Sequence, residues 1–298
     1  MSRLLSLWSV LLLCACGSES ASGSVDDVDA GGADVGAPDA TVDTGALQDV
    51  AADSNLAEAA SDATSDAAMV DEDGDGLDDG FELQTAKAYF PFYSLDPADK
   101  CPRHGVLFRL SPHPDNPNWL AAWYVVLFER DCGLTAHVGD NEVFGAVIDP
   151  SQAAPAGLLA LRAIAHQATL CSNTTTCGTL PGCSPCTLSS GKPVVFSSVN
   201  KHGGYVKEQT CDLNVICDLG GCTLNPTPTA PPFVNAGEPG KPLVTDLSQD
   251  GFITPALGWT ETSLFGFNPW GGQDFGKAGN VTDDLTDPAF LVPAAGCN

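Results

Sequence analysis

One stretch of the chain gathers residues that bind cations or move protons. It runs Ala122-Trp123-Tyr124-Val125-Val126-Leu127-Phe128-Glu129-Arg130-Asp131 and then Ala136-His137-Val138-Gly139-Asp140-Asn141-Glu142. Extended backbone points alternate side chains to opposite faces, so Asp140 and Glu142 share one face of a strand. His137 lies on the loop feeding that strand, and Asp131 closes the strand before it. Three carboxylates and an imidazole at one sheet end repel unless a cation sits among them. Such oxygen-rich ligation favours Ca2+ or Mg2+, and the imidazole admits Mn2+. The same spacing also suits solvated residues at a strand end with His137 in a turn.

A second cation site is written into the segment Asp71-Glu72-Asp73-Gly74-Asp75-Gly76-Leu77-Asp78-Asp79-Gly80-Phe81-Glu82. It fits the twelve-residue EF-hand-like loop: Asp71, Asp73, Asp75 and Asp79 at positions 1, 3, 5 and 9, and Gly76 at the turn. Leu77 offers its backbone carbonyl, and Glu82 supplies the bidentate carboxylate. No apolar helix precedes Asp71. The expected role is therefore structural, with Ca2+ pinning the preceding segment to the folded domain.

The first constellation resembles the necrosis-inducing-protein-like family of secreted cytolysins. That family's heptapeptide reads Gly-His-Arg-His-Asp-Trp-Glu, and here His137, Asp140 and Glu142 match it, while Val138, Gly139 and Asn141 depart. Asp274-Phe275-Gly276-Lys277-Ala278-Gly279-Asn280-Val281, with Asp287 and Phe290, resembles the family's C-terminal Phe-Gly-x-Ala-Asn-Val segment. Pro193-Val194-Val195-Phe196 leading to Lys201-His202-Gly203-Gly204-Tyr205 resembles the strand and His segment between them. The resemblance spans residues 85–292 and implies a β-sandwich with a divalent cation in a surface cavity. It implies Asp131, His137, Asp140 and Glu142 as the ligands and a glycolipid or glycan head group as the partner; His166 and His202 are candidate ligand contacts. The cysteine-rich segment 171–222 is foreign to the short members.

An enzyme would use the metal to activate water, with Glu142 or His166 as base. The chain carries no Gly-x-Ser-x-Gly, no His-Glu-x-x-His and no protease-type Cys/His pair, so no catalytic residue is assigned. A binding module is the leading expectation. A metal-dependent hydrolase and a structural envelope protein without ligand are the alternatives.

The elements that must position these residues read as short strands over Leu120–Phe128, Glu142–Ile148 and Pro193–Val199, parted by Gly/Pro/Asn clusters. Helical periodicity is best over Gly80–Ala88 and Ala156–His166. The expected fold is mainly β: a disulfide-braced β-sandwich with a few peripheral helices over residues 83–298, carrying the insertion 171–222. Ten cysteines follow residue 16, and in an exported chain they imply up to five disulfides whose pairing the sequence leaves open. Zinc at Cys183/Cys186 and Cys217/Cys222 is the disfavoured alternative.

Export is read from residues 1–16. Arg3 precedes an apolar run too short to span a bilayer, and Leu13-Cys14-Ala15-Cys16 forms a lipobox with Cys16 as the lipidated residue. Gly17 in the next position implies the outer membrane of a bacterial envelope, with attachment by lipid alone. Residues 17–80 hold eighteen acids and no base, against twenty acids and eleven bases beyond them. Residues 17–70, without an aromatic residue, form a disordered acidic tether. Eleven scattered bases disfavour nucleic-acid binding, and the chain is expected to be a monomer. Cys16→Ser should move the protein from the membrane fraction to the soluble fraction, because an acidic tail is repelled by anionic lipid. Unchanged sedimentation with membranes would contradict the lipoprotein assignment.

Overall fold

The computed structural model describes residues 69–214, 217–225 and 231–298. The expected signal peptide with Cys16, and residues 17–68 of the expected tether, lie outside them. The described chain is a β-sandwich with few helices. Its elements in order are α1 (Asp79–Tyr89), β1 (Phe92–Leu95), β2 (His104–His113), β3 (Asn116–Asp131), β4 (His137–Ile148), β5 (Leu158–Ala165) and β6 (Asn173–Gly178). There follow β7 (Leu188–Ser189), β8 (Lys192–Ser197), β9 (Gly204–Tyr205), α2 (Glu208–Leu213), β10 (Phe233–Asn235), β11 (Gly237–Glu238), β12 (Lys241–Pro242) and α3 (Val281–Thr286).

The main sheet has the order β10-β2-β3-β4-β5-β6, antiparallel except where β10 runs parallel to β2. A smaller sheet, β1-β8-β7 with β9 on β8, packs on one face. That interface holds Phe108, Tyr124, Val126, Phe128, Phe144 and Ile148 of the main sheet against Tyr93 and Val195. The alternate residues Leu107, Trp123, Val125, Leu127 and Val143 bury against the C-terminal segment, including Phe252, Trp259, Phe275 and Phe290. Two-sided burial explains why residues 120–128 read as a continuous apolar run rather than an alternation.

Three side chains embedded in the second face donate to carbonyls of that C-terminal segment. Trp123 Nε1 reaches Asp287 O at 2.9 Å, Arg109 Nη1 reaches Leu285 O at 3.1 Å, and Arg162 Nη1 reaches Leu291 O at 2.6 Å. A segment with little regular structure thereby satisfies its polar backbone while it covers the sheet.

The strands expected at 120–128, 142–148 and 193–199 fall within β3, β4 and β8. The helix expected at 80–88 is α1, capped by Asp78, which accepts from the Phe81 amide at 2.9 Å. It stops before Pro91, which disfavours helical backbone at Phe90. The helix expected over Ala156–His166 is instead strand β5, paired with β4 and β6. Leu and Ala favour helix intrinsically, but residues 158–161 are buried within the sheet, and small Ala160 admits the close approach of Gly178. Tertiary pairing overrides propensity here. Five disulfides join Cys101–Cys132, Cys171–Cys217, Cys177–Cys186, Cys183–Cys297 and Cys211–Cys222, so no thiolate of these is left for zinc.

Gly145 marks where the C-terminal segment touches the sheet. A Cβ there would lie 2.0 Å from Phe290 O, against backbone that cannot swing aside. Gly145→Ala should cost about 1–3 kcal/mol of stability in urea denaturation. An unchanged midpoint would mean that the Phe290 turn is not seated on β4.

Candidate functional site

The β3–β4 turn and the strand ends beside it open a cavity of about 430 Å3. Asp131, His137, Asp140 and Glu142 all line it. Asp131 and His137 face each other across the β3–β4 pair, and Asp140 and Glu142 stand opposite Phe128 and Val126. The far wall comes from His166, Gln167, Ala168 and Thr169 after β5, from Lys201, and from Asp283, Asp284 and Asp287 at α3. Six carboxylates thus face one lysine and two histidines.

Gly139 allows this assembly. Its φ of +73° suits glycine, and a Cβ would lie 2.4 Å from Phe275 O. The segment 275–280 therefore seats directly on the start of β4, with Lys277 N donating to Val138 O at 3.0 Å. Asn280 then caps α3 by accepting from Thr282 N at 3.0 Å. The helix presents Asp284 to Asn141, whose Nδ2 donates to it. Burial, opposed by that hydrogen bond and reinforced by Asp283 and Asp287, pushes Asp284 up to about 7. Asn141, a departure from the heptapeptide, therefore joins the two halves of the wall.

Two of the expected ligands already have cations of the chain beside them. Lys201 Nζ donates to Asp131 Oδ2, and His137 Nε2 lies 3.5 Å from the same oxygen. His137 is oriented by its Nδ1, which donates to Gly139 O at 2.8 Å. Asp140 Oδ2 accepts from His202 Nδ1 at 2.8 Å, and His202 Nε2 lies 3.2 Å from Asp99 Oδ2. The His202 ring is fully buried and stacks on Phe128 at 3.7 Å. Burial pulls its pKa down, but the two carboxylates outweigh that and raise it to about 9. His202 therefore backs the wall through Asp140 rather than lining the cavity.

Glu142 is different. Half-buried at the cavity floor, it has one weak donor, Gly204 N at 3.3 Å. Burial first, then the charges of Asp140 and Asp218, push its carboxyl well above the usual range. Among the described residues, groups of three or more His, Asp or Glu whose ligand atoms lie within 4.8 Å of one another occur only in the loop 71–82. The cavity four line one chamber but do not close on a single point.

His166 reaches the cavity with a positive φ of 52° and its Nε2 2.9 Å from Asp218 Oδ2. Buried Asp218 also accepts from Ser198 Oγ and Tyr205 OH, each at 2.5 Å. Burial raises the Asp218 pKa, yet these donors outweigh it and hold the group below its ordinary value. Asp99, Lys201, Asp218, Asp283 and Asp284 were not singled out by sequence reasoning. Lys201 and Asp287 lay inside segments already recognised, whereas Asp218 reaches the site through an insertion whose path depends on Cys171–Cys217 and Cys211–Cys222.

No family model and no curated protein sequence matches the chain. Solved structures show a partial, divergent likeness to a necrosis-inducing-protein-like fold. NLPPya in complex with glucosamine is 14% identical over 68% of this chain and 87% of its own, with a TM-score of 0.35. NLPPya in complex with mannosamine matches at the same identity and cover, with a TM-score of 0.33. A structure described as "Toxin fold for microbial attack and plant defense" is 15% identical over 49% of this chain and 64% of its own, with a TM-score of 0.27. At these scores, the chemistry of the site rests on this chain's own side chains.

The Asp140–His202–Asp99 row predicts a pH dependence. A histidine raised from 6.5 to about 9 on folding stabilises the fold fully below pH 6.5 and loses that contribution as pH rises through 9. The stability margin of the parent over His202→Gln should shrink by on the order of 3 kcal/mol between pH 6 and pH 10. A margin that is constant over that range would contradict the charged row.

Proposed function

We propose that this domain is a binding module whose acidic cavity receives a hydroxyl-rich or amine-bearing head group, glycan or glycolipid, with a divalent cation as part of the recognition surface. The observation that supports it is the charge imbalance: six carboxylates line a chamber of about 430 Å3 whose rim at Gln167, Ala168 and Asp283 is exposed. Carboxylates at this density are eased by a bound cation and accept hydrogen bonds from sugar hydroxyls. With Asp131 on Lys201 and Asp140 on His202, a cation here would meet Glu142, the outer oxygens of Asp140 and Asp131, and His137 Nε2, partly through water. Mg2+, which keeps its waters, suits such spaced ligands, with Ca2+ or Mn2+ as further candidates. The cation would supply a positive centre for ligand oxygens. The chain's own residues orient it and shape the wall.

Held by lipid at Cys16 in the outer membrane of a bacterial envelope, the monomeric domain would meet its ligand close to the membrane. The His166–Asp218 pair supports a second reading, a metal-dependent hydrolase, because a buried carboxylate fixes an imidazole against the same chamber.

The test is retention of the Cys16→Ser protein, which carries no lipid of its own, on glycolipid vesicles with Mg2+ or with chelator. Binding should fall at least tenfold with chelator and equally in Glu142→Gln and Asp140→Asn, with no turnover of the glycolipid. Binding indifferent to chelator and to both substitutions would overturn the reading. Turnover lost in His166→Gln would favour the hydrolase.

A further inference from the structure

The loop 71–82 is a cluster of acids that the cavity does not use. Its carboxylates converge in two groups, Asp71 with Asp73 and Asp79, and Asp73 with Asp75 and Glu82, each within 4.8 Å. The groups share Asp73, so they adjoin each other. Backbone donors shape it: Asp71 accepts from Gly74 N at 2.6 Å and Gly76 N at 3.2 Å, and Asp75 accepts from Leu77 N at 2.7 Å. Gly74 and Gly76 both take positive φ, which lets the chain fold around the acids.

The decisive residue is Glu82. It lies on the first turn of α1 with 0% exposure, and neither carboxylate oxygen has a hydrogen-bond partner. Asp73 Oδ2 and Asp75 Oδ2 beside it are also buried and unpartnered. Protonating Glu82 would let its O–H donate to Asp73 or Asp75, but would leave those two acids charged beside each other with oxygens still unpaired. Sealing four unpaired carboxylate oxygens together is costly in a folded protein. An ion among them removes the cost.

The loop does not stand apart from the domain. Leu77 and Leu83 pack on the core, and Asn235 at the end of β10 adjoins Glu82. Lys241 of β12 lays its ammonium over Gly74, where a Cβ would lie 2.0 Å from Nζ. Glu238 of β11 is close enough for its charge to act on Asp73 and Asp75, and Arg109 holds that carboxylate in a bidentate pair at 2.7 Å on each arm.

We propose that Asp71, Asp73, Asp75, Asp79 and Glu82, with the Leu77 carbonyl, bind one Ca2+, and that this ion staples α1 to the β10–β12 segment within the domain. Only oxygen ligands are present, five carboxylates and a carbonyl, which suits Ca2+ better than the strict, water-retaining octahedron of Mg2+. The site is independent of the cavity, and either can exist without the other.

The experiment is calorimetric titration of the full chain with Ca2+, in an Asp140→Asn background that removes a cavity contribution. One Ca2+ per chain should bind, and Glu82→Gln and Asp75→Asn should each weaken it tenfold or more. In chelator, Glu82→Gln should melt at or above its parent, because it replaces an unpaired buried carboxylate with an amide. Absence of calcium binding in the Asp140→Asn background, or a loss below tenfold in Asp75→Asn, would overturn the site. So would a Glu82→Gln chain that melts below its parent in chelator yet gains as much from calcium.

Discussion

A carboxylate taken out of water must find a positive partner or hold its proton, and this molecule is organised around that requirement. Glu129 finds Arg103 together with the amides of Thr260 and Glu261. Asp131 finds Lys201, Asp140 finds His202, and Asp218 finds His166, Ser198 and Tyr205. Glu142 and Glu82 find almost nothing. Those two positions are where we propose that ions or ligands from outside the chain complete the charge balance.

The sheet makes this concentration of acids possible. Because both faces of β2 to β5 are covered, polar groups are pushed to the strand ends, and the covering segments bring their own acids there. α3 arrives over Gly139, the 198–203 turn comes from the smaller sheet, and the disulfide-tied insertion supplies Asp218. Each is anchored separately, by backbone contact at Gly139 and Gly276, by the stacked His202 ring, and by Cys171–Cys217 and Cys211–Cys222. A rigid wall assembled this way holds like charges together that a looser one would let drift into solvent.

Local geometry was legible in the residues. The period of two placed Asp140 and Glu142 on one face, the Asp/Gly spacing placed the acids of the 71–82 loop, and helical periodicity over Gly80–Ala88 placed α1. What was not legible depends on distance. β5 is rich in Leu and Ala and declares itself a strand only through β4 and β6. The partner of Asp140 lies 62 residues away, that of His166 lies 52 away, and that of Asn141 lies 143 away. Nothing in the neighbourhood of Asp131 announces Lys201. Cysteine pairing is likewise a property of the folded path, since Cys183 closes with Cys297 across 114 residues.

The central claim is that the cavity carboxylates share a cation supplied from solution and open to a ligand. Anomalous diffraction from Mn2+-soaked crystals tests it most directly. The account predicts a peak beside Glu142 and Asp140 with coordination positions facing the exposed rim. A map with no peak there, with Asp131 and Asp140 contacted only by Lys201 and His202, would show instead that the chain's own cations suffice.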